Sequence, residues 1–140
     1  MAHYTDRVIN NVVVEHPNRK VIVLLNEAMK LITPPYAWIR KKYFSQRGDQ
    51  TCYCMSGALH EAYYNTRLAR QEQWGWNDIN QAHNTLRDAI NDIHGDTSIV
   101  WFNDRIAKDK KEVIDMFMRA IRKLRNEGNE LIAQKLKEGK

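Results

Sequence analysis

In TCYCMSGALHEAYY, Thr51 to Tyr64, two cysteines stand one residue apart, a glycine follows at Gly57 and a histidine at His60. The stretch reads either as a small metal- or thiol-bearing element or as a helix covered by its neighbours. Apolar spacing favours the helix. On a helical wheel Cys52, Met55, Leu59, Ala62 and Tyr63 share one stripe, and Tyr53, Gly57, His60 and Tyr64 form a second beside it. The polar remainder, Glu61 and Asn65, is narrow. A helix from about Cys54 to Gln71, packed on two sides, is therefore expected as the central helix of a small bundle.

The sulfurs argue against metal. A structural zinc site wants four Cys or His ligands in paired spacings, and only His60 lies near the two cysteines. On a helix Cys52 and Cys54 point about 200° apart, so they cannot share an ion. Cys54 near a helix start could carry a reactive thiolate, but His60 faces another side, and buried cysteine is usually inert. No catalytic and no metal-binding residue is assigned, and no cofactor is expected. Gly57 costs a helix about 1 kcal/mol relative to alanine. The close approach of an aromatic ring, Trp101, is the expected compensation.

Working outward, residues 1–17 read as an extended arm, with the β-branched run Val12 to Val14 ending at Pro17. Asn18 to Ile32 is an amphipathic helix with Val21, Leu24, Leu25, Ala28, Leu31 and Ile32 on one face, Asn18 as its cap and "TPP" as its stop. "YAWIRKKYFSQRGDQT" reads as a connector with a polar loop at Gly48 and Asp49. After "QWGWND" a third helix carries Ile79, Ala82, His83, Leu86, Ala89, Ile90 and Ile93, capped by Asp78 or Asn77 and stopped by Gly95. Asp109 and Glu112 form a capping box for the last helix, which Gly128 interrupts before a charged, fraying tail. The expected fold is all-α, a compact four- to five-helix bundle with an extended N-terminal arm. Its division is arm 1–17, helical domain 18–128 and charged tail 129–140.

The pieces "VIVLLNEAMKLI", "CYCMSGALHEA", "IVWFND" and "KKEVIDMFMRAIRKL" together resemble a family of short bacterial and bacteriophage proteins described only as a domain of unknown function. The resemblance covers roughly residues 20–125. It implies a compact helical domain and a phage or mobile-element origin, and it supplies no activity. The arm before Asn18 and the lysine-rich tail are extra, and "KDKKE" fills a capping position that is often threonine in such proteins.

With 140 residues and 43% apolar content the chain can bury one core without disulfides, and no apolar run is long enough for a membrane span. The start lacks a secretory signature, so a cytoplasmic location is expected, with no membrane partner. The net charge of +5 favours acidic or polyanionic partners. The leading functional expectation is a non-enzymatic accessory or host-interaction protein that contacts a protein partner, with an exposed aromatic patch in Tyr36–Phe44 as its mark. The first alternative is nucleic-acid binding through Arg40, Lys41, Lys42 and Arg47, with Lys110, Lys111, Arg119, Arg122 and Lys123 as a second patch. The second alternative is a small-ligand pocket or enzyme built from Tyr53, His60, Trp101, Asn103 and Asp104. Against that pocket stands a local role for Asn103 and Asp104, capping backbone groups in an Asx turn.

Overall fold

The computed structural model describes residues 7–9, 12–70 and 75–138. Helices dominate: α1 (Arg19–Ile32), α2 (Met55–Arg70), α3 (Trp76–His94), the single turn α4 (Ile99–Trp101) and the long α5 (Lys110–Glu138). Two antiparallel strand pairs accompany them, β1 (Arg7–Ile9) with β2 (Val12–Val14) and β3 (Phe44–Arg47) with β4 (Gln50–Tyr53). The all-α expectation is thereby corrected to a mostly helical chain with a hairpin between its first two long helices. Residues 1–6, 10 and 11 of the expected arm, and Gln71 at the expected end of the second helix, lie outside the described residues.

In α1 the apolar stripe is buried as expected at Val21, Leu24, Leu25, Ala28 and Ile32, and Ile22 and Val23 are buried as well. The helix therefore faces neighbours on most of its circumference, packing on α2, α3 and α5. Asn18 stands at its N-cap, where its carbonyl accepts the Ile22 N–H at 3.0 Å, but its side chain makes no capping bond to the helix. Its side-chain Nδ2 instead donates to the Leu124 carbonyl of α5 at 2.8 Å. In α3 Ile79, Ala82, Leu86, Ala89 and Ile90 are buried, but Ile93 is turned out to solvent. Neither Asn77 nor Asp78 is the N-cap of α3, a position that Gly75 holds. Asp78 sits in the first turn, where its Oδ2 accepts the Gly75 N–H at 3.0 Å. Gly95 ends the helix with a positive φ of 76°, a conformation that glycine adopts without steric cost.

The hairpin overturns the assignment of Cys52 and Tyr53 to helical stripes. Arg47 pairs with Gln50, leaving Gly48 and Asp49 as a two-residue turn, with φ 60° at Gly48. On its other edge β4 bonds the connector: Tyr53 N–H donates to the Ala37 carbonyl at 2.8 Å, and Ile39 N–H to the Tyr53 carbonyl at 3.0 Å. Held from both sides, the chain stays extended to Tyr53 and turns helical only at Met55. Cys52 is buried on the strand, its thiol donating to the Tyr36 carbonyl at 2.9 Å.

Two glycines do work that differs from expectation. Gly57 is covered by the backbone carbonyl of Tyr43, not by Trp101, whose ring is largely exposed and lies against Arg105. Gly128 does not interrupt α5, which continues unbroken to Glu138. It is the point where the buried His16 ring crosses the helix, a space that a side chain would fill. The His16 Nδ1 accepts the Asn18 N–H at 3.2 Å, so Nε2 carries the proton and donates to the Arg125 carbonyl at 3.2 Å.

Candidate functional site

The residues of "WFND" form a structural hub. Ser98 caps α4 by accepting the Trp101 N–H at 3.1 Å, and the chain then widens into a π-helical turn, Phe102–Ile106. That turn aims Asn103 into the interior, where it is 1% exposed. Its Oδ1 accepts from Trp38 Nε1 at 2.7 Å and from the Met55 N–H at 3.0 Å. Its Nδ2 donates to the Ile39 carbonyl at 3.0 Å and to Asp104 Oδ1 at 2.9 Å. Two lone pairs and two N–H groups are all used. Asp104 Oδ1 also accepts the Lys41 N–H at 2.7 Å, at a residue with φ 68°. Both side chains thus cap backbone groups, but those of distant segments, and the local Asx turn is corrected to a clamp between the connector, the start of α2 and the π turn.

Beside the hub is a small recess of about 140 Å³ bordered by Lys41, Tyr43, Cys54, Ser56, Asn103 and Asp104. Cys54 caps α2, its sulfur accepting the Gly57 N–H at 3.3 Å. Burial pushes its thiol above the usual range, and the Gly57 and Ser56 N–H groups offset only part of that. The thiol therefore stays protonated at neutral pH and is a poor nucleophile. Among the described residues no group of three or more His, Cys, Asp or Glu side chains could hold a metal ion.

A larger opening lies on the other side of Tyr43. It is a groove of about 550 Å³ walled by Tyr43, Phe44 and Tyr53 at the hairpin, His60 and Tyr64 of α2, and Trp76 at the start of α3. Phe44 is 67% exposed, Tyr64 60% and Trp76 73%, so these rings are open to solvent. Gly57 and Glu61 complete the wall. The His60 ring lies 5.2 Å from His83, whose pKa is lowered by burial and then by the His60 charge. Burial, and then the charge of Glu61, hold the Tyr53 hydroxyl above its ordinary value, so it remains neutral.

The basic residues separate into two groups. Arg40, Lys42 and Arg47 gather with Trp38 and Ser45 around a third recess of about 380 Å³, while Lys41 borders the hub recess, which Lys42 also reaches. The residues of α5 are largely engaged. Lys110 Nζ donates to the Thr33 and Pro34 carbonyls at 2.7 and 3.0 Å, closing the C-terminal end of α1. Lys123 pairs with Asp92 at 2.6 Å, and Arg119 and Arg122 share a depression with Glu112 and Asp115. Lys111 is exposed.

The five pocket residues named from the sequence do not converge. Tyr53 and His60 line the groove, Asn103 and Asp104 form the hub, and Trp101 stands apart on the surface. Sequence reasoning overlooked Trp38, which links Asn103 to Arg40, and Trp76, which closes the groove. Trp38 had one available signal: it stands between the apolar Ala37 and Ile39, with Arg40 two residues on. Trp76 had none, because only the approach of α3 to α2 brings it there.

Fold and site together define a small, mostly helical domain in which an inserted hairpin presents the accessible chemistry. The chain belongs to a family of unknown function (DUF6197), whose model it matches over residues 16–123. That span holds the hub, the hairpin, both recesses and the groove. Neither the curated proteins nor the solved structures yield a match. No described helix is long and apolar enough to cross a membrane.

Proposed function

We propose that the chain is a non-enzymatic binding protein of bacterial or phage origin, acting in the cytoplasm, and that a protein partner docks in the aromatic groove. The exposed cluster of Phe44, Tyr64 and Trp76 around one groove carries this reading. Contiguous exposed rings are costly in water, and Tyr and Trp are the residues that dominate protein contacts, because they offer large area for little lost rotamer freedom. In this reading the helices act as a compact bundle that keeps the groove walls in register. The neutral Cys54 thiol and the saturated Asn103 amide weigh against a chemical step at the hub.

The test is affinity capture from a lysate of a bacterium carrying the gene, with the parent chain and a Tyr64→Ala, Trp76→Ala variant run side by side. A protein retained by the parent and lost by the variant supports the groove. Equal retention by both chains assigns the contact elsewhere and overturns the reading.

A further inference from the structure

The recess on the opposite face of the hairpin is built differently from the groove, and its chemistry is independent of any partner there. Side chains alternate along a strand, so Phe44 faces the groove while Ser45 and Arg47 face the recess. The recess is bordered by three cations, a hydroxyl and no carboxylate. Arg40 is held in place before any ligand arrives. One terminal nitrogen donates to the Ala107 and Lys108 carbonyls at 2.6 and 3.3 Å, and the guanidinium lies 4.5 Å over the Trp38 ring. Trp38 is in turn fixed by Asn103. The remaining guanidinium N–H groups have no partner among the described residues.

Lys41 supplies the second device. Its left-handed backbone is held by the Asp104 carboxylate, and that turn brings Arg40 and Lys42 to the border of one recess. Non-glycine residues keep such a conformation only where surrounding contacts impose it, and such positions cluster at binding sites. The hub thus organises a cationic recess, which explains why so polar a network is buried.

We propose that this recess binds a phosphate group, through Arg40, Lys42 and Arg47 with the Ser45 hydroxyl as a further donor. An ordered guanidinium matches phosphate oxygens in geometry as well as charge, and the lysine adds a mobile point charge. At about 380 Å³ the recess has room for a phosphate group carried on something larger, a nucleic-acid backbone or a free phosphate ester. The α5 cations do not form a comparable site, because acids sit among them.

The experiment has two arms, each run on the full chain, a Lys42→Ala, Arg47→Ala variant and an Arg119→Ala, Arg122→Ala control. In the first arm, fluorescence anisotropy follows a labelled short oligothymidylate. Three phosphate contacts on a single strand predict roughly 20-fold weaker binding between about 50 and about 200 mM salt. In the second arm, ³¹P line broadening follows adenosine monophosphate. Binding in either arm that falls at least about tenfold in the recess variant and persists in the control supports the proposal, and the responding arm identifies the source of the phosphate. The proposal is overturned if neither probe binds, if the recess variant binds like the parent, or if the control loses as much as the recess variant.

Discussion

A methyl group at Gly57 has nowhere to go: a side chain there would overlap the Tyr43 carbonyl, which itself accepts the Cys54 N–H at 3.2 Å. Alanine gains about 1 kcal/mol of helix propensity. Against that stand an overpacking cost of about 1–3 kcal/mol and a weakened buried hydrogen bond of about 1 kcal/mol. Gly57→Ala should therefore lose roughly 2 kcal/mol in a urea titration, and a midpoint at or above that of the parent would refute the packing argument. His83 makes a second prediction at this scale. Its pKa is lowered from the ordinary 6.5, so the folded state prefers neutral imidazole. The stability this provides is present above 6.5 and is lost as pH falls through the depressed folded value. The melting temperature should drop as pH falls below 6.5 and level off below the folded value, and His83→Gln should flatten the drop. An unchanged pH profile in the variant would exclude His83 as the source.

Among the elements, Asn103 decides how the connector, the hairpin and α2 meet. Asn103→Leu leaves the Trp38 Nε1–H and the Met55 N–H without their acceptor in a buried place. Each orphaned donor costs about 1–3 kcal/mol, so a loss of roughly 3 kcal/mol is expected. Amide exchange at Met55 should quicken with it, and unchanged exchange would show that the clamp is dispensable. The hairpin itself was partly readable: Gly48-Asp49 between two short runs rich in β-tolerant residues is a turn signal. It was obscured because the helical wheel accommodates Cys52 and Tyr53 equally well. Glycine misled in a similar way at Gly128, since propensity marks it as a stop while the structure needs it for the passage of His16. Capping at α5 was legible in part. Asp109 does accept the Glu112 N–H at 3.0 Å, but Glu112 reaches back to the Lys108 N–H and not to that of Asp109.

For the whole molecule, binding and stability should separate. Tyr64 and Trp76 are mostly exposed, so replacing them with alanine should shift stability by less than about 0.5 kcal/mol while removing any partner held in the groove. A large fall in melting temperature would instead mark these rings as part of the core. The sequence by itself determined α1, most of α3 and the start of α5, with their inward faces and the stops at "TPP" and Gly95. Those features follow from helical periodicity and from the backbone chemistry of proline and glycine, which act within a few residues. Only the tertiary structure decided that the aromatic and basic residues of one connector part onto two faces, and that "WFND" is a clamp and not a pocket. The reason is distance along the chain: Lys41 meets Asp104 across 63 residues and Trp38 meets Asn103 across 65. Pairings of that span leave no periodic trace, because they are selected by how the helices pack and not by what their neighbours in sequence prefer.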